Sequence, residues 1–207
     1  MNPNHQTVMK THPSRRKDGF TLVELLVVIA IIAVLAGVGV PAALAAVQRA
    51  KKLTAQQVCR ALEAAVSSYY SEYNGAPVAG LTADNGTAYK TTSSEGIDLL
   101  KVLLGLEGNV ATPLNPRNVK ILNVAEGKNR KGGLIYNSTG TSITGLYDPW
   151  GGPYRIMVDG DFDESVSPQN TGGPKVRLNG RKCAVWSEGA DGASGSGGKP
   201  SDDVLTW

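Results

Sequence analysis

The chain has 207 residues, of which 41% are hydrophobic and 19% charged, enough for one compact domain with an appended element. Its formal net charge of +3 is accounted for by Lys10, Arg15, Arg16 and Lys17 against Asp18, so the remainder is about neutral. A neutral body has no electrostatic footprint for phosphates, which argues against a nucleic-acid partner, and the 25 glycines and 11 prolines point to a loop-rich fold.

Taken in chain order, the basic start reads as a targeting segment. It is followed from Phe20 to Ala46 by an apolar run whose single charge is Glu24. About 20 apolar residues are needed for a helix to cross a bilayer. Basic residues before the run orient the start in the cytoplasm and the body outside. A secretory signal cut near Ala43-Leu44-Ala45 fits less well, because the run is too long and a carboxylate at its start is unusual. A plain anchor and a buried core helix are the other readings set aside.

Glu24 is the informative residue, since a carboxylate in hydrocarbon costs a few kcal/mol or more unless paired (about 2.5–3.5 kcal/mol on insertion scales). Were the chain cut between Gly19 and Phe20, the new α-amino group would stand about one helical turn from Glu24, in the same subunit or a neighbour. Pairing with a neighbour would neutralise both charges and fix the register of packed helices. The alternative is a glutamate that snorkels to the cytoplasmic interface.

The segment Arg15-Arg16-Lys17-Asp18-Gly19-Phe20-Thr21-Leu22-Val23-Glu24 resembles the cleavage and methylation signature of type IV prepilins and type II secretion pseudopilins. The resemblance implies cleavage after Gly19 by a prepilin peptidase, N-methylation of Phe20, and assembly through Glu24 and the helix that follows. Gly37, Gly39 and Pro41 fall within that helix; in the resembled family a proline at this place marks a segment that can melt during assembly.

Beyond Gln48 polarity rises while Ala55, Val58, Leu62, Ala65, Val66, Tyr69 and Tyr73 recur every three or four residues, an amphipathic stripe. Asn74-Gly75 and Pro77 end it. One long helix is therefore expected over Phe20 to Tyr73. Thr92 and Glu95 suggest a capping box before a short helix, Gly96 to Leu104, closed by Gly105. Strands are expected at Asn118 to Leu122, Gly133 to Tyr136 and Tyr154 to Val158. Lys175 to Leu178 and Arg181 to Trp186 flank Asn179-Gly180, which reads as a tight hairpin. The fold class is α+β: a long helix packed on a small antiparallel sheet.

Asp148-Pro149-Trp150-Gly151-Gly152-Pro153-Tyr154 is a turn leading into a strand, and it resembles a segment of the major pseudopilin of type II secretion. At the C-terminus, Ser187-Glu188-Gly189-Ala190-Asp191-Gly192 and Asp202-Asp203-Val204 flank a Gly/Ser run. Such carboxylates on a flexible loop suit calcium, which takes six to eight oxygens, or else form a solvated polar tail. The same ends resemble the calcium loop of the major pseudopilin. The resemblance implies Asp191, Asp202 and Asp203 as side-chain ligands, with carbonyls near Glu188 and Ala193. Asp159-Gly160-Asp161-Phe162-Asp163 begins like an EF-hand loop but has Glu164 at the sixth place and Asn170 at the twelfth, and reads as a turn.

Cys59 and Cys183 lack metal or redox spacing and are either one disulfide or two independent thiols. No Walker loop, HExxH, GxSxG or nucleotide fingerprint is present, and both histidines, His5 and His12, precede Gly19, so an enzyme is not expected. The organisation read from the sequence is a leader at 1–19, a membrane and filament-core helix at 20–46, its amphipathic half at 47–74, and a periplasmic β domain at 75–207. The function expected is that of a pseudopilus subunit in type II secretion. It would start as a single-pass inner-membrane precursor and end in a periplasmic filament. Its partners would be the prepilin peptidase, copies of itself, minor pseudopilins and the inner-membrane assembly platform. A type IV pilin for adhesion, DNA uptake or motility, and a tethered binding domain that never polymerises, are the alternatives.

Overall fold

A computed structural model of the protein describes residues 19–81, 88–168, 176–195 and 202–207. The basic start, 1–18, lies outside them, as does Lys175. Helix α1 spans Leu22–Tyr73 and contains Pro41. Strand β1 (Tyr89–Lys90) and helix α2 (Ser94–Leu104) follow. The remaining strands are β2 (Gly133–Tyr136), β3 (Ile143–Tyr147), β4 (Tyr154–Val158), β5 (Ser165–Val166), β6 (Leu178–Asn179), β7 (Cys183–Ser187) and β8 (Val204–Leu205). The chain divides into two compact units, one ending at Ala45 and one spanning Ala46–Trp207.

The described part of the first unit is the apolar start of α1. By length and composition this stretch can cross a membrane, and none of it is buried within the protein. Its large apolar side chains, from Leu22 to Leu44, all face outward. A helix apolar all round is stable only where lipid or other helices cover it.

The second unit is built as the periodicity requires. Ala55, Cys59, Leu62, Ala65, Val66, Tyr69 and Tyr70 of α1 are buried, every third or fourth residue along one face. They pack with Leu99, Leu100 and Leu103 of α2 and with Tyr154, Ile156, Val158 and Val185 of the sheet. Fully burying each leucine or valine contributes about 1.5–3 kcal/mol. The main sheet is antiparallel with order β1-β4-β7-β8, and β2–β3 and β5–β6 form two smaller antiparallel pairs. A long helix packed on small antiparallel sheets is the α+β arrangement expected.

Three local expectations are corrected. The cap of α2 is Ser93, not Thr92: its Oγ accepts the Gly96 N–H at 3.2 Å, and Thr91 and Ser93 are tied to Tyr154 and Lys90 carbonyls. No strand forms at Asn118 to Leu122. There the Ile121 and Leu122 amides both donate to the Leu103 carbonyl at 2.9 Å, and Asn118 takes a positive φ of 50°. Asn179-Gly180 does not join two paired strands either. β6 pairs with β5, whereas both edges of β7 are taken by β4 and β8. The two flanking runs therefore belong to different sheets.

Candidate functional sites: the N-terminal motif and the carboxylate loops

Gly19 and Phe20 precede α1 outside any regular element, and Phe20 is 82% exposed. A Cβ placed on Gly19 would meet nothing within 4 Å. One residue later Thr21 starts the helix. Its Oγ accepts the Glu24 N–H at 3.2 Å, and Glu24 Oε2 accepts both the Thr21 N–H and its hydroxyl at 2.8 Å. This is a capping box, two orphan donors satisfied reciprocally. Sequence reasoning read Glu24 as an intramembrane charge that pairs with the Phe20 amine or snorkels, and missed this capping role, although Thr-x-x-Glu before an apolar run was its signal. The carboxylate is therefore oriented at the helix start, beside the place where cleavage would create an amine.

The C-terminal loop is closed at its base by strand pairing, with Ser187 opposite Val204. Asp202 Oδ2 accepts the Ala190 N–H at 2.5 Å and the Asp191 N–H at 3.2 Å. Asp203 Oδ2 accepts from Gly195 N at 2.9 Å, and Asp191 Oδ1 from Ala193 N at 2.9 Å. Gly189 has φ 69°, and a Cβ there would stand 2.6 Å from the Asp202 carbonyl oxygen, so glycine lets the two arms touch. Glu188 is buried and ion-paired with Arg155 at 2.6 Å, and it accepts the Ser194 hydroxyl at 2.5 Å. The structure thus brings Asp191, Asp202 and Asp203 onto one clamped loop, with their carboxylates bonded to amides.

A tighter acidic group lies elsewhere. Among the described residues, the three-carboxylate group with ligand oxygens within 4.8 Å of one another is Asp159, Asp161 and Asp163, which could hold a metal ion. Asp159 is buried and accepts from the amides of Phe162 at 2.8 Å and Glu164 at 3.0 Å. Asp163 accepts the Ser165 N–H at 2.7 Å and pairs with Arg177 at 2.9 Å. Hydrogen bonding from Ser165, more than the neighbouring arginine, holds the Asp163 carboxyl below its usual range. Phe162 and Glu164 take positive φ of 62° and 57°, the mark of a tight turn.

Asp148 organises the turn before β4. Its Oδ1 accepts the amides of Trp150, Gly151 and Gly152 at 2.8–2.9 Å, and its Oδ2 accepts the Ser187 hydroxyl at 2.6 Å. The Trp150 indole N–H donates to Gln48 of α1 at 3.1 Å. The motif therefore binds turn, sheet and helix together. Cys59 and Cys183 are buried free thiols: Cys59 Sγ lies 3.9 Å from the Val204 carbonyl and Cys183 Sγ 3.9 Å from that of Glu63.

Comparison with known proteins adds a family context. Residues 14–40 match the family model described as the prokaryotic N-terminal methylation motif. The chain is 28% identical over 193 residues to the type II secretion system core protein G of Aeromonas hydrophila, covering 93% of this chain and 94% of that protein. It is 28% identical over 194 residues to the core protein G of Pseudomonas aeruginosa, covering 93% and 96%. No solved structure gives a significant match. The chain thus carries the methylation motif and an apolar first helix, and along nearly its whole length it is similar to the core protein G of type II secretion.

Proposed function

We propose that the protein is the structural subunit of a pseudopilus in type II protein secretion. The observation that carries this reading is the coincidence of the methylation motif at 14–40 with a core protein G likeness over 93% of the chain. A prepilin peptidase cuts after Gly19 and the new Phe20 amine is N-methylated. The segment 20–46 holds the subunit in the inner membrane, with 47–74 and the domain 75–207 in the periplasm. Copies then leave the membrane through an assembly platform and pack helix to helix, minor pseudopilins included. Glu24, oriented by its cap, meets the Phe20 amine of a neighbour in a medium where an unpaired charge is costly. The part is structural and not catalytic.

The intact mass of the chain, made with and without prepilin peptidase, tests the reading. A product beginning at methylated Phe20 is expected. An uncut chain, or one beginning near Ala46, would sink it.

Calcium is proposed to bind the C-terminal loop through Asp191, Asp202 and Asp203, with carbonyls of Glu188 and Ala193. In support, all the donors are hard oxygens, and hydrogen bonds already tie Asp202 to the amides of Ala190 and Asp191. The ion would draw the three carboxylates together and so tighten the two arms. One millimolar calcium is expected to raise Tm by several degrees, an effect lost in Asp202→Ala and Asp203→Ala. Retention of the shift in both, with loss in Asp159→Ala, would move the site to the 159–163 turn.

A further inference from the structure

Three segments far apart in sequence meet on one face of the second unit. On α1, Gln48, Lys51 and Lys52 share a side, being three and four residues apart. The Trp150 indole is tied to Gln48. Gly151, next to it, lies against the third segment: a Cβ there would stand 3.3 Å from the Arg130 carbonyl oxygen and 3.5 Å from the Lys131 side chain. Gly132 N donates to the Asp148 carbonyl at 2.8 Å, locking the two turns together.

That third segment is the tight turn Lys128-Asn129-Arg130-Lys131. Lys128 and Lys131 exchange two backbone hydrogen bonds at 3.1 Å, and Asn129 and Arg130 take positive φ of 54° and 58°. This is a two-residue primed turn, which holds its ends in fixed directions. Arg130 leans over the Tyr147 ring at 5.3 Å. Lys52, Lys128, Arg130 and Lys131 are exposed and Lys51 is half-buried. Among the described residues none of the five has an ion-pair partner, a state shared by Arg49, Arg60, Lys90 and Lys120, whereas Lys101, Arg117, Arg155, Arg177, Arg181 and Lys182 all have one. The nearby Asp148 carboxylate is buried and occupied by amides and a hydroxyl, leaving exposed Glu126 as the acid on the hairpin.

Lys51 and Lys52 stand five and six positions after Ala46, the end of the apolar run. At about 1.5 Å per residue that is roughly 8 Å of helix. A headgroup layer is about 5–8 Å thick. Cations at that depth with an indole beside them suit an anionic, amphipathic boundary. We propose that Lys51, Lys52, Lys128, Arg130, Lys131 and Trp150 form a docking face for anionic phospholipid headgroups of the membrane in which the first helix is anchored. The face would hold the domain down on the bilayer until the subunit is drawn out. The proposal rests on membrane anchorage and not on the filament, so an uncut chain in the processing experiment leaves it standing, whereas a chain beginning near Ala46 would remove the anchor and overturn both.

The test uses the full-length protein in vesicles of phosphatidylethanolamine and phosphatidylglycerol at 3:1, and in phosphatidylcholine, with a membrane-impermeant acetylating reagent and mass spectrometry. Lys182 serves as internal control, because it sits over the Tyr70 ring, 5.4 Å from its centroid and far along α1 from Lys51. Lys51, Lys52, Lys128 and Lys131 are expected to react at least severalfold more slowly on the anionic vesicles, with Lys182 unchanged. Salt at 0.5 M should remove the difference, since screening acts over a few ångströms there. Lys131→Glu should weaken protection of the other lysines by on the order of fivefold or more per unit of charge. Equal rates on both lipids would overturn the proposal. So would protection that grows with protein density on phosphatidylcholine, which would give the face to a second copy.

Discussion

The carboxylate of Asp148 is fully buried, and three backbone N–H groups and the Ser187 hydroxyl meet it. Hydrogen bonds to a charged group are worth about 1.5–3 kcal/mol each, and removing one partner strands the others. Asp148→Ala is expected to cost about 3 kcal/mol or more in urea denaturation, and Asp148→Asn less, because its oxygen can still accept. On the proposed reading Glu24 has two separable roles in one side chain, the cap and the assembly charge. Glu24→Gln preserves the capping geometry with Thr21, since either residue can close a capping box, but removes the charge. It is expected to leave peptidase cleavage intact and reduce pelletable filament at least tenfold, as Glu24→Ala should. Filament at wild-type yield from Glu24→Gln would show that the carboxylate serves only as a cap. The Thr-x-x-Glu spacing was legible in the sequence. The Asp148 network was not, since Ser187 stands 39 residues away.

Elements were legible where local chemistry decides them. The amphipathic stripe of α1 and the Gly105 stop of α2 are local: Gly105 takes φ 67° and caps carbonyls at Lys101 and Val102. The short strands β1, β5, β6 and β8 have two residues each, too few for a period to show, and exist because a neighbour offers a ladder. Gly96 marks the place where α2 presses on the chain after β1, as a Cβ there would overlap the Lys90 carbonyl. Gly96→Ala is therefore expected to cost at least about 3 kcal/mol, read as a lowered urea midpoint, because backbone and not a flexible side chain must yield. Gly108→Ala, where φ is 70° but a Cβ meets nothing within 4 Å, should cost less.

At the scale of the molecule, one core joins α1, α2 and the main sheet, and both thiols are sealed in it. Burial pushes Cys59 and Cys183 up from 9.0 to about 12, and Tyr69 from 10.0 to about 12. Unfolding releases these groups to their ordinary values, so above about pH 9 the unfolded chain binds fewer protons than the folded one. Stability is then fully present below pH 9 and is lost progressively up to about pH 12, by at most about 1.4 kcal/mol per pH unit per group. The double variant Cys59→Ala, Cys183→Ala should flatten the first part of that fall. At pH 7.5 neither thiol should react with Ellman's reagent until denaturant is added. A pH-independent urea midpoint between 9 and 11 would contradict this burial.

The sequence by itself determined the apolar segment, the processing motif, the long helix and the α+β class. Each of these follows from composition or from spacing within a few residues, where helix period and charge placement act directly. Tertiary structure alone decided which strands pair, why Asn179-Gly180 separates sheets instead of joining them, and that the cysteines stay apart. It also gathered Asp159, Asp161 and Asp163 more tightly than Asp191, Asp202 and Asp203, set Lys131 beside Gly151, and tied Trp150 to Gln48. The physical reason is that ladders and buried carboxylates take whichever partner the packed helix brings within about 3 Å, and sequence distance carries no information about that.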